Sequence, residues 1–191
     1  MGRAGLGLAV LWSAAGFGQE FHLGARAAEF KLTDPRGVTA AVDPAPGNAT
    51  VVLFISAVCP MSNDYVIRIN DLYRDYSSRG VRFLVVNSNQ NEEQAQVDDH
   101  ARRAGFLFPV YRDPNNAAAD RFGAQSTPEA FLLDGGGIVR YHGRIDDARN
   151  PARVKQRSLR LAIDAVLEGR EVAAPETKAF GCVIKRARKT T

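Results

Sequence analysis

The chain has 191 residues, of which 45% are hydrophobic and 24% are charged, and its formal net charge is +4. These values are ordinary for a globular protein of one domain with a core of its own. Two cysteines in a chain of this length exclude a small scaffold held together by disulfides. The basic C-terminal sequence KRARKTT has no aromatic residue among its charges, which favours a solvated tail, so no nucleic-acid partner is expected.

Residues 1–18 have the pattern of a secretory signal peptide. A positive start, MGR, is followed by the apolar sequence AGLGLAVLWSAA and by the small-residue end GFG. The apolar sequence is short for a membrane span, so we expect cleavage near Gly18 and a secreted or periplasmic chain without a membrane span. The alternative is a disordered or packed apolar N-terminus. Residues 19–28 are predicted to be a connector.

The first elements after the connector are predicted to be strands. EFKLTDPRGVTAAV has the pattern of two short strands around a turn at residues 34–37. NATVVLFISA is apolar on both faces, which is typical of a central strand covered by helices on both sides. From Pro60 the apolar period becomes helical, and Gly80 ends the predicted helix. Its apolar face consists of Tyr65, Ile69, Leu72, Tyr73 and Tyr76.

Strands and helices alternate through the rest of the chain. VRFLVVN is a predicted strand, EEQAQVDDHARRAG a helix, FLFPVYRD a strand and PNNAAADRFGA a helix. PEAFLLD and IVRYHG form a hairpin around three glycines, and a last helix ends at Gly169. This order predicts an α/β domain over residues 29–170, in which helices cover both faces of a central mixed β-sheet with an N-terminal β-hairpin. Residues 171–191 form a C-terminal segment that carries Cys182 and the basic tail.

Cys59 lies where the predicted central strand gives way to a helix, in the sequence FISAVCPMS. Backbone N–H groups of a first helical turn favour negative charge, so a thiol at this position ionises more readily, and the thiolate is the reactive form. Pro60 suits the first helical position because the N–H that it lacks would be unpaired there anyway. The alternative is a small buried residue at a strand end. The Cys-Pro pair at this junction favours a reactive Cys59.

A second feature is STPEAFLLD, in which Thr127-Pro128 directly precedes a predicted strand. This bond is a candidate for a cis peptide, because cis bonds are almost confined to X-Pro, although most X-Pro bonds are trans. With VVLFISAVCPMS and STPEAFLLDGGGIVRYHGRIDD, the chain resembles the thioredoxin-like superfamily from Phe30 to Leu167. Within it, the chain is similar to the redoxin branch, which covers alkyl hydroperoxide reductase and thiol-specific antioxidant proteins.

The resemblance implies the thioredoxin-like fold, in which the proline is cis and its loop faces the reactive cysteine. In that fold the loop clamps an extended substrate backbone, which puts Thr127 and Pro128 against Cys59. Pro60 and Met61 are assigned to the same substrate-binding surface. The late sequence FGCVIKR is similar to that of a subgroup of secreted bacterial redoxins.

Departures from the family patterns bear on the mechanism. Thioredoxins use Cys-x-x-Cys, whereas Ser62 takes the second place here, so Cys59 has no adjacent thiol to resolve a mixed disulfide. Ser62 either hydrogen-bonds the thiolate or caps the helix. Peroxiredoxins use Pro-x-x-x-Thr/Ser-x-x-Cys, of which the chain has Ser56 but Val52 in place of the proline. The arginine that a peroxidase also needs near its thiolate has two candidates by position, Arg140 and Arg144.

Cys182 lies beyond the last predicted helix. Its apolar neighbours Val183 and Ile184 predict that the segment docks on the domain, and Pro175 would let the chain turn back. The oxidised state would then be a Cys59–Cys182 bridge, as in peroxidases whose resolving thiol is distant in sequence. The alternatives are an ordinary packed thiol and a static structural bridge, because the sequence does not fix the distance between two thiols.

No cofactor is expected. The copper-chaperone relatives of this fold need two cysteines close in sequence plus a histidine, and this chain has one cysteine in that loop. Ligation of Cu(I) by the two cysteines is the remaining metal alternative, without support from their spacing. None of the three histidines lies in the proline loop, and each is expected at the surface: His22, His100 and His142.

The sequence therefore predicts a secreted thiol-dependent oxidoreductase with Cys59 as the attacking thiolate and Cys182 as a candidate resolving thiol. Disulfide exchange ranks slightly above peroxide reduction, because Val52 breaks the peroxidase pattern. The expected partners are a protein or small-molecule disulfide, or a peroxide, and an external thiol reductant. The alternatives are a peroxiredoxin-type peroxidase and a non-catalytic or metal-handling redoxin module.

Overall fold

A computed structural model of the protein describes residues 21–187, so the predicted signal peptide and the end of the basic tail lie outside the described residues. The strands are β1 (Phe30–Thr33), β2 (Thr39–Val42), β3 (Ala49–Ile55), β4 (Val81–Asn87), β5 (Val110–Arg112), β6 (Ser126–Thr127), β7 (Glu129–Asp134), β8 (Val139–Gly143) and β9 (Cys182–Val183). The α-helices are α1 (Pro60–Asp64), α2 (Val66–Tyr76), α3 (Gln94–Ala104), α4 (Ala117–Phe122) and α5 (Ser158–Leu167). Short 3-10 helices cover Ser77–Arg79, Pro114–Asn116 and Pro151–Arg153.

The central sheet is mixed, as the sequence predicted. Its seven strands have the order β2-β1-β5-β4-β3-β7-β8. β3, β4 and β5 are parallel, whereas β7 pairs antiparallel with both β3 and β8. The N-terminal hairpin is also present, because β1 and β2 pair antiparallel from Phe30–Val42 to Thr33–Thr39.

β3 lies at the centre of the domain because both of its faces are covered. Val51 and Leu53 project into a core that β3 shares with α2 and α5. Val52 and Phe54 project to the opposite face, into a second core that contains α4 and also Phe21. All residues of β3 are buried, and each large apolar side chain of this kind contributes roughly 1.5–3 kcal/mol on burial. The prediction of helices on both faces of the sheet is therefore confirmed.

The helix predicted from Pro60 to Gly80 is divided in the structure. α1 ends at Asp64 and is capped by Tyr65, whose backbone N–H donates to the Ser62 carbonyl in a tight turn, and α2 begins at Val66. The second helix then tightens into a 3-10 turn, and Gly80 ends it with a φ of 80°, a conformation that favours glycine. Across residues 21–187, no helix is long and apolar enough to span a bilayer.

The C-terminal segment folds back across the domain. After α5 it forms a parallel bridge between Glu176 and His142 of β8. It then reaches residues 126–127, where β9 pairs antiparallel with β6 in a separate two-stranded sheet. Ile184 follows β9 and is buried in the second core, whereas Val183 is exposed. The return path brings Cys182 to the carboxyl end of β3, where Cys59 lies.

Candidate active site

Cys59 and Cys182 are joined by a disulfide. Cys59 is the N-cap residue of α1, directly after the loop that follows β3, and only 2% of its surface is exposed. The two Cα atoms are 6.0 Å apart across a sequence separation of 123 residues, well within the range that a disulfide spans. Cys182 is therefore not an ordinary packed thiol. The redox activity of this bridge and the stabilisation of a Cys59 thiolate by helix amides stay predictions.

The proline loop lies against this disulfide. The Thr127-Pro128 peptide bond is cis, as the candidate assignment anticipated. The Thr127 carbonyl oxygen lies 3.3 Å from Cys59 Sγ, and the Thr127 hydroxyl donates to the Cys182 carbonyl across 3.4 Å. Thr127 is also the ladder partner of Cys182 in the β6–β9 pair. One residue of the loop thus contacts both cysteines.

Two serines hold the loop that carries Cys59. The Ser56 hydroxyl oxygen accepts the backbone N–H of Cys59 at 3.1 Å. The Ser62 hydroxyl oxygen accepts the backbone N–H of Ser56 at 3.2 Å, and both serines are buried. Ser62 therefore ties α1 to the end of β3 in the disulfide form. Its hydrogen bond to a free Cys59 thiolate stays a prediction.

Glu92 is a site residue that the sequence reasoning missed. Its carboxylate is 1% exposed and accepts three hydrogen bonds, from Ser56 Oγ at 2.6 Å, from the Ala57 backbone N–H at 2.7 Å and from Asn87 Nδ2 at 2.8 Å. Arg112 Nη1 donates to Asn87 Oδ1 at 2.6 Å, which extends the network. Burial lowers the pKa of the Arg112 guanidinium, and the nearby negative charge of Glu92 opposes that shift. A buried carboxylate thus supports the backbone beside the cysteine.

A signal for Glu92 is present in the sequence. β3 and β4 are parallel neighbours, so their carboxyl ends meet at the same edge of the sheet. Glu92 lies in the polar loop NSNQNEE that begins at the end of β4, so polar side chains there are expected near Cys59. The adjacent Glu93 is exposed, and the sequence alone does not separate the two.

Asn63 links α1 to α3 on the other side of the Cys59 loop. Its Nδ2 donates to the Ala57 carbonyl at 3.2 Å, and its Oδ1 lies 2.8 Å from His100 Nε2. Burial lowers the pKa of His100, and the charge of Glu92 opposes that shift as well. His100 is thus a half-buried residue near the site and not a freely exposed one.

The remaining predicted site residues lie at the rim or elsewhere. Pro60 is exposed at the first position of α1, and Met61 is half-buried against the first core. Arg140 pairs with Asp134 at 2.6 Å, and Arg144 bonds to residues that follow β8. Neither arginine is hydrogen-bonded to the disulfide or to the loop that carries Cys59. Within residues 21–187, no three histidine, cysteine or acidic side chains gather in a possible metal site.

A cysteine at a strand–helix junction, opposite a cis-proline loop on a thioredoxin-like sheet, defines a thiol-dependent redoxin. Residues 23–142 match the model of the AhpC/TSA family, and the chain belongs to this family.

The relatives agree with this class. The chain is 28% identical over 118 residues to the thiol-disulfide oxidoreductase ResA of Geobacillus thermodenitrificans (strain NG80-2), which covers 62% of this chain and 67% of that protein. The crystal structure of an uncharacterized conserved protein from Geobacillus kaustophilus is similar, with a TM-score of 0.81, 31% identity and coverage of 89% of this chain and 95% of that chain. The crystal structure of a hypothetical protein from Sinorhizobium meliloti 1021 is also similar, with a TM-score of 0.78, 32% identity and coverage of 89% of this chain and 97% of that chain. The chain is thus an oxidoreductase of the thioredoxin-like redoxin class.

Proposed function

We propose that the protein is a thiol-disulfide oxidoreductase that cycles between a dithiol and the Cys59–Cys182 disulfide. The observation that carries the proposal is this disulfide, which joins the N-cap cysteine of α1 to a strand paired with the cis-proline loop. A structural disulfide has no need of that position, whereas reactive cysteines are found at helix N-termini. The similarity to a thiol-disulfide oxidoreductase points to the same chemistry.

The proposed cycle starts with the Cys59 thiolate. It attacks one sulfur of a substrate disulfide, a mixed disulfide forms, and the other substrate sulfur leaves as a thiolate. The Cys182 thiolate then attacks Cys59 Sγ, so the Cys59–Cys182 bond forms and the second substrate thiolate leaves. The substrate gains two electrons and the protein loses two. Cys182 thereby takes the part that the second cysteine of Cys-x-x-Cys would have, because Ser62 cannot.

The other groups of the site have supporting parts in this proposal. Ser56 and Ser62 hold the backbone of the Cys59 loop, and Pro60 and Met61 form the rim beside the reactive sulfur. The substrate is a protein or small-molecule disulfide, and an external thiol returns the protein to the dithiol. We place the protein in the periplasm or outside the cell, because disulfides persist in oxidising compartments and residues 1–18 have the pattern of a signal peptide.

Peroxide reduction is the second candidate, favoured by the AhpC/TSA match and by the contact between Ser56 and Cys59. In that reaction the Cys59 thiolate would attack one peroxide oxygen and become a sulfenic acid, while the O–O bond breaks and the other oxygen leaves as an alcohol or water. Cys182 would then displace water from the sulfenic sulfur to form the same disulfide. It ranks lower because Val52 is buried in the middle of β3, where the peroxidase pattern requires a proline.

Titration of the reduced full chain separates these functions. With a small disulfide such as 5,5′-dithiobis(2-nitrobenzoate), we expect the wild type to form the Cys59–Cys182 bridge and Cys182→Ser to stop at a mixed disulfide on Cys59. Cys59→Ser should form no such bridge. Faster oxidation by hydrogen peroxide than by the disulfide would reverse the ranking. An alkylation pKa of Cys59 at or above that of a free thiol, about 8.5, would instead support a non-catalytic module.

A further inference from the structure

β9 lies on the edge of the proline loop. Ser126 pairs with Val183 and Thr127 pairs with Cys182, and the Ile184 N–H donates to the Gln125 carbonyl at 2.9 Å. An extended peptide that binds by strand addition needs these same backbone groups. The position expected for a substrate backbone is therefore occupied by the protein's own chain, with the sulfur of Cys182 where a substrate sulfur would lie.

Contacts before Cys182 hold this segment independently of the disulfide. The His142 N–H donates to the Pro175 carbonyl at 2.9 Å, and the Thr177 N–H donates to the His142 carbonyl at 3.0 Å. The Thr177 hydroxyl lies 2.6 Å from the Tyr141 hydroxyl and accepts the Arg144 N–H at 3.1 Å. The approach to β9 is thus fixed against β8.

Contacts after Cys182 hold the segment on the C-terminal side of this cysteine. Ile184 is 3% exposed in the second core. The Lys185 N–H donates to Asn89 Oδ1 at 2.8 Å, and the Lys185 carbonyl accepts the Gln90 N–H at 2.9 Å. Arg186 pairs with Asp120 at 2.9 Å. None of these contacts involves a sulfur, so in the oxidised protein the segment is held on both sides of Cys182 by groups other than the disulfide.

At Gly181 the backbone of the segment lies in close contact with the proline loop. A Cβ atom at this position would overlap with the Thr127 carbonyl, so only glycine lets the backbone approach the proline loop to this distance. In the oxidised protein, the segment therefore fills the edge of β6 with which it pairs.

The two cysteines differ in how much of each residue is exposed. Cys59 is 2% exposed beneath β9 and the proline loop, whereas Cys182 is half-buried at the rim. The rate of thiol–disulfide exchange depends on which sulfur can be reached. Two exposed apolar residues, Val58 at 56% and Val183 at 66%, are the sequence neighbours of the cysteines and offer contact surface for an incoming molecule.

We propose that the external thiol which recycles the protein attacks Cys182 and not Cys59, because β9 fills the edge on which a partner backbone would otherwise lie. This inference rests on the proposed function. The incoming thiolate bonds to Cys182 Sγ, the Cys59–Cys182 bond breaks, and Cys59 leaves as a thiolate. A second thiol of the reductant then attacks the reductant sulfur of the mixed disulfide and expels the Cys182 thiolate. The reductant becomes a disulfide, and the protein gains two electrons.

Trapping of the mixed disulfide tests the proposal. The oxidised full chain is mixed with reduced glutathione, quenched in acid at short times, treated with a maleimide and mapped by mass spectrometry. We expect glutathione mainly on Cys182 and the maleimide mainly on Cys59 at the earliest times. Glutathione mainly on Cys59 would overturn the inference and leave the proposed function intact. A disulfide that glutathione does not open, with neither an adduct nor a free thiol on either cysteine, would contradict both.

A variant at Gly181 tests whether β9 directs the attack. Gly181→Ala should displace β9 from β6, which should shift the early adduct toward Cys59. The matched control is Lys178→Ala, since Lys178 is exposed in the same segment, and it should give the wild-type distribution. If Gly181→Ala does not fold, Ile184→Ala loosens the same segment from the other side. If the variants with a loosened segment carry glutathione on the two cysteines in the same proportion as the wild type, β9 does not direct the attack.

Discussion

The Ser56 hydroxyl donates a 2.6 Å hydrogen bond to the buried carboxylate of Glu92, while its oxygen accepts the backbone N–H of Cys59. Ser56 therefore connects a buried charge to the backbone of the reactive position. A hydroxyl can donate once and accept at the same time, so a serine fills this place without an unpaired polar atom. The rigidity of the Cys59 loop should thus depend on Glu92, which lies in the loop after β4.

Replacement of Glu92 should destabilise the protein. Glu92→Gln puts an amide donor where three buried donors now point, so at least one of them loses its acceptor. We expect the free energy of unfolding to fall by about 1.5–3 kcal/mol, the contribution of a hydrogen bond to a charged group. Urea denaturation measures this loss. The matched control is Glu93→Gln, since Glu93 is exposed and its side chain makes no capping hydrogen bond. Equal stability of the two variants would contradict the role given to Glu92.

The sequence predicted those parts of the site that depend on local pattern. β3 is recognisable because a doubly covered strand is apolar throughout, and Pro60 marks the first helical position directly after Cys59. The break at Tyr65 was not predicted, because the apolar period continues through it and a single tight turn leaves no compositional trace.

Long-range features were predicted only as alternatives or not at all. The Cys59–Cys182 bridge depends on how the C-terminal segment crosses β8, which no local spacing determines. The polar sequence around Glu92 is one that would equally surround a glutamate exposed to solvent. The burial of Glu92 is tolerated because donors from three other residues converge on it, and that convergence arises only when parallel strand ends meet.

Loss of the disulfide should weaken the fold without abolishing it. The bridge closes a sequence separation of 123 residues, and a disulfide typically contributes about 2–4 kcal/mol by restricting the unfolded chain. Under oxidising conditions, Cys182→Ser should therefore unfold at lower urea concentration than the wild type, in one cooperative transition. With a reductant present, the two proteins should have similar midpoints. A variant as stable as the oxidised wild type would show that the bridge does not stabilise the fold.

The anchor at Ile184 should control how firmly β9 is held. Ile184→Ala removes a side chain that is 3% exposed, a change that typically costs about 2–5 kcal/mol in a core. Each 1.4 kcal/mol changes an equilibrium constant about tenfold. The amides of Ile184 and Lys185 should therefore exchange with solvent more than about tenfold faster in the reduced variant than in the reduced wild type. Hydrogen-exchange mass spectrometry gives this rate. Val183→Ala is the control, since Val183 is 66% exposed, and equal exchange in both variants would argue against the anchor.

The stability of the proline loop should depend on pH through Glu129. Its carboxylate accepts the backbone N–H groups of Gln125 and Ser126 at 2.8 and 2.7 Å, and its other oxygen lies 2.6 Å from His142 Nε2. Burial acts to raise the pKa of Glu129, but the hydrogen bonds from His142 and from the two backbone groups outweigh it, so the pKa lies below its ordinary value. A carboxyl with a depressed pKa in the folded state stabilises the fold above its unfolded pKa and loses that effect as the pH falls through the folded value.

Glu129→Gln should therefore be less stable than the wild type at neutral pH, and the difference should shrink as the pH falls below the ordinary glutamate pKa of about 4.3. Urea denaturation from pH 7 to pH 3 measures the two curves. Glu176→Gln is the matched control, since Glu176 is exposed on the same C-terminal segment that crosses β8, and it should follow the wild type throughout. A gap between Glu129→Gln and the wild type that stays constant over this range would mean that the charge of Glu129 does not hold the loop. Convergence of the curves on acidification would show that the carboxylate, and not the size of the side chain, fixes Gln125 and Ser126.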